Sequence, residues 1–391
     1  MTKQLRIALV YDRINKWGGA ERVLLALHEI WPEAPLYTAV YDPAKAGWAD
    51  VFTVRPSFLQ YVPFAKHHHE WFPWATPMAF ESFLFDDYDV VISITSAEAK
   101  YIITKPSTLH ICYCLTPTRY LWSGYEEYAR SSQLLTMMAP VLRRWDIVGS
   151  SRPDYYIAIS QRVKARIEKY YGRSVEKVIY PPVDTDQSKV ESPADAKAMA
   201  GKRKSKVKEV PDGYFLVVSR LVPYKRIDLI IEAFNQLRLP LVIIGSGREE
   251  KLLRPLASDT ISFVSSYLTD AQLDAYYGSC RAFLSAADED FGIAAVEAQA
   301  AGIPVIAYAQ SGISEIVKDG ITGILFPEQS KQAIIDAVQR FLQTRIQSSA
   351  CTQNAHRFGK ERFIKEMKAT VERLHETYFH TLDSRVRGND T

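Results

Sequence analysis

No run of about eighteen apolar residues occurs anywhere in the 391-residue chain, which excludes an ordinary membrane-spanning helix. Cysteine is scarce. Cys112, Cys114, Cys280 and Cys351 are the only four, and no Cys-x-x-Cys spacing joins them, so neither a zinc ribbon nor a dithiol redox motif is present. Charge of one sign is lacking as well: the net charge is only +3, with no Arg-rich stripe or zinc-finger spacing, and nucleic acid is excluded as a partner. The Gly-x-Gly-x-x-Gly fingerprint and the Walker phosphate loop are both missing, which argues against an NAD-dependent dehydrogenase and a P-loop enzyme. Met1 to Arg6 runs directly into the apolar stretch Ile7 to Val10 without a signal-peptide core. A cytoplasmic protein is expected, touching a membrane at most peripherally at its inner face.

What the chain does have is alternation. Short apolar runs and helix-like stretches follow one another from end to end, the pattern of parallel sheets built from βαβ units. Strands are expected near Arg6 to Val10, Leu36 to Val40, Asp89 to Ile94, Leu109 to Tyr113, Tyr155 to Ile159 and Lys177 to Tyr180. Between about Asp184 and Pro211 the sequence turns polar, with Gly201-Lys-Arg-Lys-Ser-Lys-Val-Lys208, and reads as a linker or insertion. Strands then resume at Tyr214 to Ser219, Leu241 to Gly245, Ile261 to Val264, Ala282 to Ser285, Pro304 to Ala307 and Gly323 to Phe326. The economical architecture is α/β: two Rossmann-like domains with parallel sheets facing a cleft. The divisions fall at 1–184, a linker over 185–211, a second domain over 212–359, a helix over 360–380 that packs back on the first domain, and a polar, disordered tail over 381–391.

The chemistry centres on Glu289-Asp-Phe-Gly-Ile-Ala-Ala-Val-Glu297. Ile293 to Ala301 is Ala-rich and closed by Gly302, so it reads as a helix with a glycine stop between two buried strands. Glu289 then sits in the loop before the helix and Glu297 about one turn inside it, with the positive helix end between them. That layout suits a ligand with hydroxyls at both ends and phosphate in the middle, as in a nucleotide sugar. Three other loops carry candidates. Arg220 and Lys225 in Ser219-Arg-Leu-Val-Pro-Tyr-Lys225 follow a strand, and a guanidinium fork beside an ammonium suits a diphosphate. Gly245-Ser-Gly247 follows the next strand, on the same sheet edge. In the first half, Gly18-Gly19 separates strand from helix and lets backbone approach a ligand.

With these residues in place, the chain resembles retaining glycosyltransferases of family 4, which have the two-domain GT-B fold. The likeness rests on Gly18-Gly19-Ala-Glu21, Tyr180-Pro-Pro-Val-Asp184, Ser219 to Lys225, Gly245 to Gly247, Glu289-x7-Glu297 with Phe291-Gly292, and Ala301-Gly-Ile-Pro-Val305. It implies that Arg220 and Lys225 hold the donor diphosphate and Glu289 meets the transferred sugar, a catalytic trio, while Glu297 bonds the ribose. Phe291, Gly292 and Ile293 complete the cradle, with Gly18, Gly19, Gly245 and Gly247 as further donor-binding backbone. Glu21, Leu115 and Arg119 fall on the acceptor side. It further implies a nucleotide sugar as donor, a glycan or lipid-linked glycan as acceptor, and no cofactor.

His110-Ile-Cys-Tyr-Cys-Leu115-Thr-Pro-Thr-Arg119-Tyr-Leu-Trp122 resembles a segment of bacterial surface-polysaccharide enzymes, many of them mannosyltransferases. Those relatives usually carry His where this chain has Leu115. Donor choice therefore stays open between GDP-mannose and a UDP-hexose, and a catalytically weak sugar-nucleotide-binding subunit is a further alternative. Asp288-x-Asp290 and Asp184-x-Asp186 superficially match a metal-binding pattern of the other glycosyltransferase fold. With two cations and a helix dipole available for the diphosphate, no metal is expected. His67-His68-His69 and Lys202 to Lys208 are candidates for contact with an anionic membrane.

Overall fold

The computed structural model describes residues 5–66, 72, 74–131, 133–185, 213–266 and 268–388. The chain divides into two compact units, one formed by Met1–Pro182 with Lys360–Thr391 and the other by Val183–Gly359.

The first unit is built on seven parallel strands: β1 (Ile7–Tyr11), β2 (Leu36–Thr38), β3 (Val54–Pro56), β4 (Val90–Thr95), β5 (Leu109–Cys114), β6 (Tyr155–Ala158) and β7 (Lys177–Val178). Their order is β3-β2-β1-β4-β5-β6-β7. Every residue of β1, β4 and β5 is buried, as continuous apolar strands of a covered parallel sheet must be. The helices are α1 (Gly19–Ile30), α2 (Ala75–Glu81), α3 (Tyr125–Ser131), α4 (Gln133–Ser150) and α5 (Gln161–Tyr171). Ser160 caps α5 by accepting from the Val163 N–H at 3.0 Å, and Gly172 ends it in the left-handed conformation at φ +62°.

The second unit repeats the plan with β8 (Phe215–Val218), β9 (Leu241–Ile244), β10 (Ile261–Val264), β11 (Ala282–Ser285), β12 (Val305–Tyr308) and β13 (Gly323–Phe326), ordered β10-β9-β8-β11-β12-β13. Its helices are α6 (Ile227–Leu237), α7 (Glu250–Leu253), α8 (Asp270–Ser279), α9 (Ile293–Ala300), α10 (Lys331–Gln343) and α11 (Ser348–Ala355). Phe215, Ile231, Phe234, Ile243 and Ile334 centre its core between sheet and helices.

The chain then returns to the first unit as α12 (Lys360–Gly388). Phe363, Met367, Val371 and Leu374, spaced at helical intervals, are fully buried where α12 packs on α1 and β5. Contrary to the expectation of a disordered tail from Thr381, the helix continues to Gly388. No proline or glycine interrupts it before that point, and the Thr381 hydroxyl bonds back to the Thr377 carbonyl at 2.8 Å. The polar linker expected over 185–211 and the His67–His69 cluster lie outside the described residues, Thr185 excepted. No described helix is long and apolar enough to cross a membrane.

Candidate functional site

In the second unit the chain runs outward from β8 to β10 and returns to β11 on the other side of β8. The switch point between β8 and β11 leaves a crevice at the strands' carboxyl ends, the usual ligand position of an open α/β sheet. The loops after β8, β9 and β11 meet there. Lys225 forms an ion pair with Glu289, linking the β8 loop to the β11 loop, and both side chains are largely buried. Lys225 also lies over the Tyr224 ring, 5.1 Å from its centroid, while exposed Arg220 donates to the Tyr224 hydroxyl at 3.0 Å. Two cations and one carboxylate thus share one short surface.

Glycine holds these loops close. Gly245 has φ +141°, and a Cβ there would stand 1.9 Å from the Ser219 carbonyl oxygen; one on Gly247 would stand 2.2 Å from that of Leu221. Backbone bonds from Leu221 to the Ser246 carbonyl (2.9 Å) and from Glu249 to that of Leu221 (3.1 Å) join the loops directly. Gly245 and Gly247 therefore bring the Arg220 loop against the β9 loop, a packing role that spacing alone did not reveal.

Gly292 opens α9 at φ +107° and supplies no side-chain cap; the Ala295 N–H bonds the Gly292 carbonyl at 3.0 Å, and no side chain of the cap residue covers the positive helix end that favours an anion. Its missing Cβ would press to 2.5 Å from Ile313 Cγ1. The Gly312 N–H donates to the Glu289 carbonyl at 2.8 Å and fixes the preceding loop. Within α9, Glu297 accepts from the Tyr277 hydroxyl at 3.2 Å, and Gln299 is buried against Asn354 (2.6 Å) and Thr322 (3.0 Å). Phe291 packs edge-on against Phe358 at 5.5 Å. Tyr277 and Asn354, on α8 and α11, orient the helix and its acid; nothing in the local sequence singles them out.

In the first unit, Glu21 is buried in α1 and accepts from the Tyr11 hydroxyl at 2.7 Å; burial, then the Glu21 carboxylate, pushes that phenol well above its ordinary pKa. Gly18 is extended at φ 177°, a conformation open to any residue, and precedes Gly19 at the start of α1. Asp12, just past β1, accepts from the Thr95 hydroxyl (2.7 Å) and the N–H groups of Ser96 and Ala99 (both 2.8 Å), organising the loop after β4. Leu115 follows β5, its N–H bonded to the Thr95 carbonyl at 2.8 Å. Arg119 begins the turn that leads to α3, and its carbonyl accepts from the Gly124 N–H at 2.9 Å.

That turn is pinned from beneath. Buried Lys100 pairs with Asp146 of α4 at 2.6 Å, and Asp146 also accepts from Thr118 (2.8 Å) and the Trp122 indole (2.7 Å). His110 does not occupy the place of the missing imidazole. It is wholly buried, one ring nitrogen lies 2.8 Å from the Ser93 hydroxyl, and burial drives its pKa down to about 3. It is a neutral core histidine. Asp186 lies outside the described residues. Among those described, no group of three or more His, Cys, Asp and Glu is arranged to hold a metal ion, and all four cysteines are buried and outside any disulfide.

Comparison with known proteins gives this arrangement a class. The crystal structure of Anabaena Alr3699/HepE in complex with UDP-glucose covers 94% of this chain and 99% of its own, with TM-score 0.68 at 17% identity. Sucrose-phosphate synthase from Thermosynechococcus elongatus covers 96% and 100%, with TM-score 0.71 at 18% identity. The chain has the GT-B glycosyltransferase fold. More particularly, residues 200–358, within the second unit, match the family Glycosyl transferases group 1.

Among curated proteins, the chain is 26% identical over 390 residues to O-antigen chain mannosyltransferase C of Escherichia coli, spanning 93% of this chain and 95% of the relative. It is 30% identical over 227 residues to the GDP-mannose-dependent alpha-(1-6)-phosphatidylinositol monomannoside mannosyltransferase of Mycobacterium tuberculosis. That match spans 54% of this chain and little more than half, 57%, of the mycobacterial protein.

Proposed function

We propose that this protein is a retaining glycosyltransferase of family 4 that moves a hexose, mannose from GDP-mannose, onto a glycan or lipid-linked glycan of a cell-surface polysaccharide, at the cytoplasmic face of the membrane. The observation that carries the reading is the Lys225–Glu289 pair beside the uncapped start of α9. The activities for which the Escherichia coli and mycobacterial relatives are named favour mannose as the transferred sugar.

In this reading Arg220 and Lys225 neutralise the diphosphate with the dipole of α9, and Glu289 turns from Lys225 toward the sugar hydroxyls. Glu297, steadied by Tyr277, meets the ribose. Phe291, Gly292 and Ile293 shape the cradle. The bond between the anomeric carbon and the diphosphate oxygen breaks while the acceptor hydroxyl attacks the same face and gives its proton to the departing oxygen. Protein groups then serve chiefly to position reactants and to stabilise charge growing on the diphosphate.

The test is a panel of nucleotide sugars scored first by the rise in melting temperature and then by transfer. GDP-mannose should give the largest shift, and Arg220→Ala and Lys225→Ala should abolish most of it. A larger shift with a UDP-hexose would replace the donor. Leu115 favours a second reading, a sugar-nucleotide-binding subunit with weak catalysis. Binding without hydrolysis or transfer, across a panel of acceptors, would select it.

A further inference from the structure

The first unit has a switch point of its own. Its chain runs outward from β1 through β2 to β3 and returns to β4 on the other side of β1. The carboxyl ends of β1 and β4 therefore flank a crevice of the kind that open α/β sheets use for ligands. The segments that follow β1, β4 and β5 bring Arg13, Glu98 and Tyr120 together. Glu98 Oε1 accepts from the Tyr120 hydroxyl at 2.8 Å, and Arg13 and Glu98 are each other's strongest charged partner. All three keep part of their surface open to solvent.

The frame around them is fixed. Asp12, next to Arg13, is bonded to Thr95, Ser96 and Ala99, which locks the segment after β1 to the one after β4. On the other side of Arg13, the Ile14 N–H donates to the Val40 carbonyl at 3.0 Å, and the Ile14 carbonyl accepts from the Asp42 N–H at 2.8 Å. The groups this frame holds are left incomplete. Among the described residues the Arg13 guanidinium makes no hydrogen bond, and the Glu98 carboxylate accepts only from Tyr120. Partly buried ionic groups are normally hydrogen-bonded, and a set left open at a switch point is one that a ligand completes.

Charge selects the ligand. The ionised groups acting on Arg13 are Glu98 and Asp12; those acting on Glu98 are Arg13, Asp12 and Lys100, the last paired with Asp146. Three acids thus stand against two cations, a balance that does not favour phosphate. Burial raises the Glu98 carboxyl above its ordinary pKa although Arg13 opposes the shift. Adjacent hydroxyls fit instead. A carboxylate accepts from them, a guanidinium donates to their oxygens, and a phenol does either.

We propose that Arg13, Glu98 and Tyr120 form a subsite that grips the hydroxyls of an uncharged pyranose in the acceptor glycan, with Glu98 and Asp12 selecting against a phosphate or uronate on that ring. That this sugar is the acceptor rests on the transferase reading; the chemistry of the subsite does not.

The experiment is saturation-transfer NMR of the full chain with the methyl pyranosides of mannose, glucose and galactose, beside mannose 6-phosphate and glucuronic acid as anionic counterparts. At least one neutral glycoside should bind wild type, about tenfold or more tighter than either anion. Glu98→Gln preserves shape and should weaken that glycoside about tenfold, as should Arg13→Gln. If Arg13→Gln does not fold, Tyr120→Phe takes its place, with a smaller loss expected. The donor-induced thermal shift should persist in the folded variants, which shows that the second unit is intact. Absence of neutral glycoside binding to wild type, tighter binding of an anion, or neutral binding untouched by Glu98→Gln would overturn the proposal. Glycoside binding that depends on Glu98 in a protein that no nucleotide sugar stabilises would support the subsite and count against the transferase reading alone.

Discussion

Lys225 and Glu289 lie 64 residues apart in sequence and meet as an ion pair across two loops of the second unit. In the proposed reaction the ammonium is placed before the diphosphate arrives. Removing it leaves a largely buried carboxylate uncompensated in a site meant for an anion. Lys225→Ala should lower transfer at saturating donor by about 100-fold or more, the scale seen when one charge-stabilising donor is lost. Glu289→Gln keeps a hydrogen-bonding group and should cost less. Wild-type turnover in Lys225→Ala, measured by initial rates, would remove the cation from the mechanism.

The glycines at the loop junctions make a prediction about stability and binding together. Gly245→Ala combines a φ of +141° with a Cβ 1.9 Å from a backbone oxygen, so the β8 and β9 loops must part. A loss of about 2 kcal/mol or more is expected in chemical denaturation, along with the donor-induced thermal shift. Gly172→Ala is the control: its φ is +62° and no atom lies within 4 Å of the added Cβ. It should cost about 1 kcal/mol and leave donor binding intact. Equal losses in the two variants would show that the close backbone approach is unimportant.

The Lys100–Asp146 pair should be far more sensitive to losing one partner than both. Asp146→Ala strands a buried ammonium and should destabilise by about 3–5 kcal/mol. Lys100→Met with Asp146→Leu should recover part of that loss, though Thr118 and Trp122 then lose their acceptor. Urea midpoints for the single and double variants decide it; additive losses would deny the coupling.

His110 sets a pH dependence. Its folded pKa, about 3, lies below the ordinary 6.5, so the unfolded chain takes up a proton that the folded chain refuses. The corresponding stability is fully present above pH 6.5 and declines as pH falls toward 3, by up to about 1.4 kcal/mol per pH unit. His110→Gln should flatten the fall in unfolding free energy between pH 6.5 and 4 relative to wild type. Parallel curves would show that His110 does not report on folding in that range.

The sequence carried the alternating architecture because buried parallel strands are continuous apolar runs; Ile7–Tyr11 and Val90–Thr95 stand out without any partner being known. The helix after Glu289 was legible from its alanines and the Gly302 stop. β3 was not, since Val54-Arg-Pro56 is too short and its proline too unlike a strand interior. Candidate residues were readable where they cluster locally, as from Ser219 to Lys225. Long-range partners were not: Lys100 has the same letter as a solvated lysine until Asp146 is brought beneath it. Tyr277 likewise becomes visible only when α8 meets α9.

The chain enters the second unit at Val183 and leaves it at Gly359, residues that form a β-bridge with each other, while the Val183 N–H bonds the Phe358 carbonyl at 3.0 Å. Only afterwards does α12 bring Phe363 and Met367 to the core around α1 and β5. On the ribosome, the first unit must therefore wait, unfinished, while the whole of the second is synthesised. A released chain ending before residue 360 would hold every residue of the second unit but leave the first with its hydrophobic seam open to chaperones.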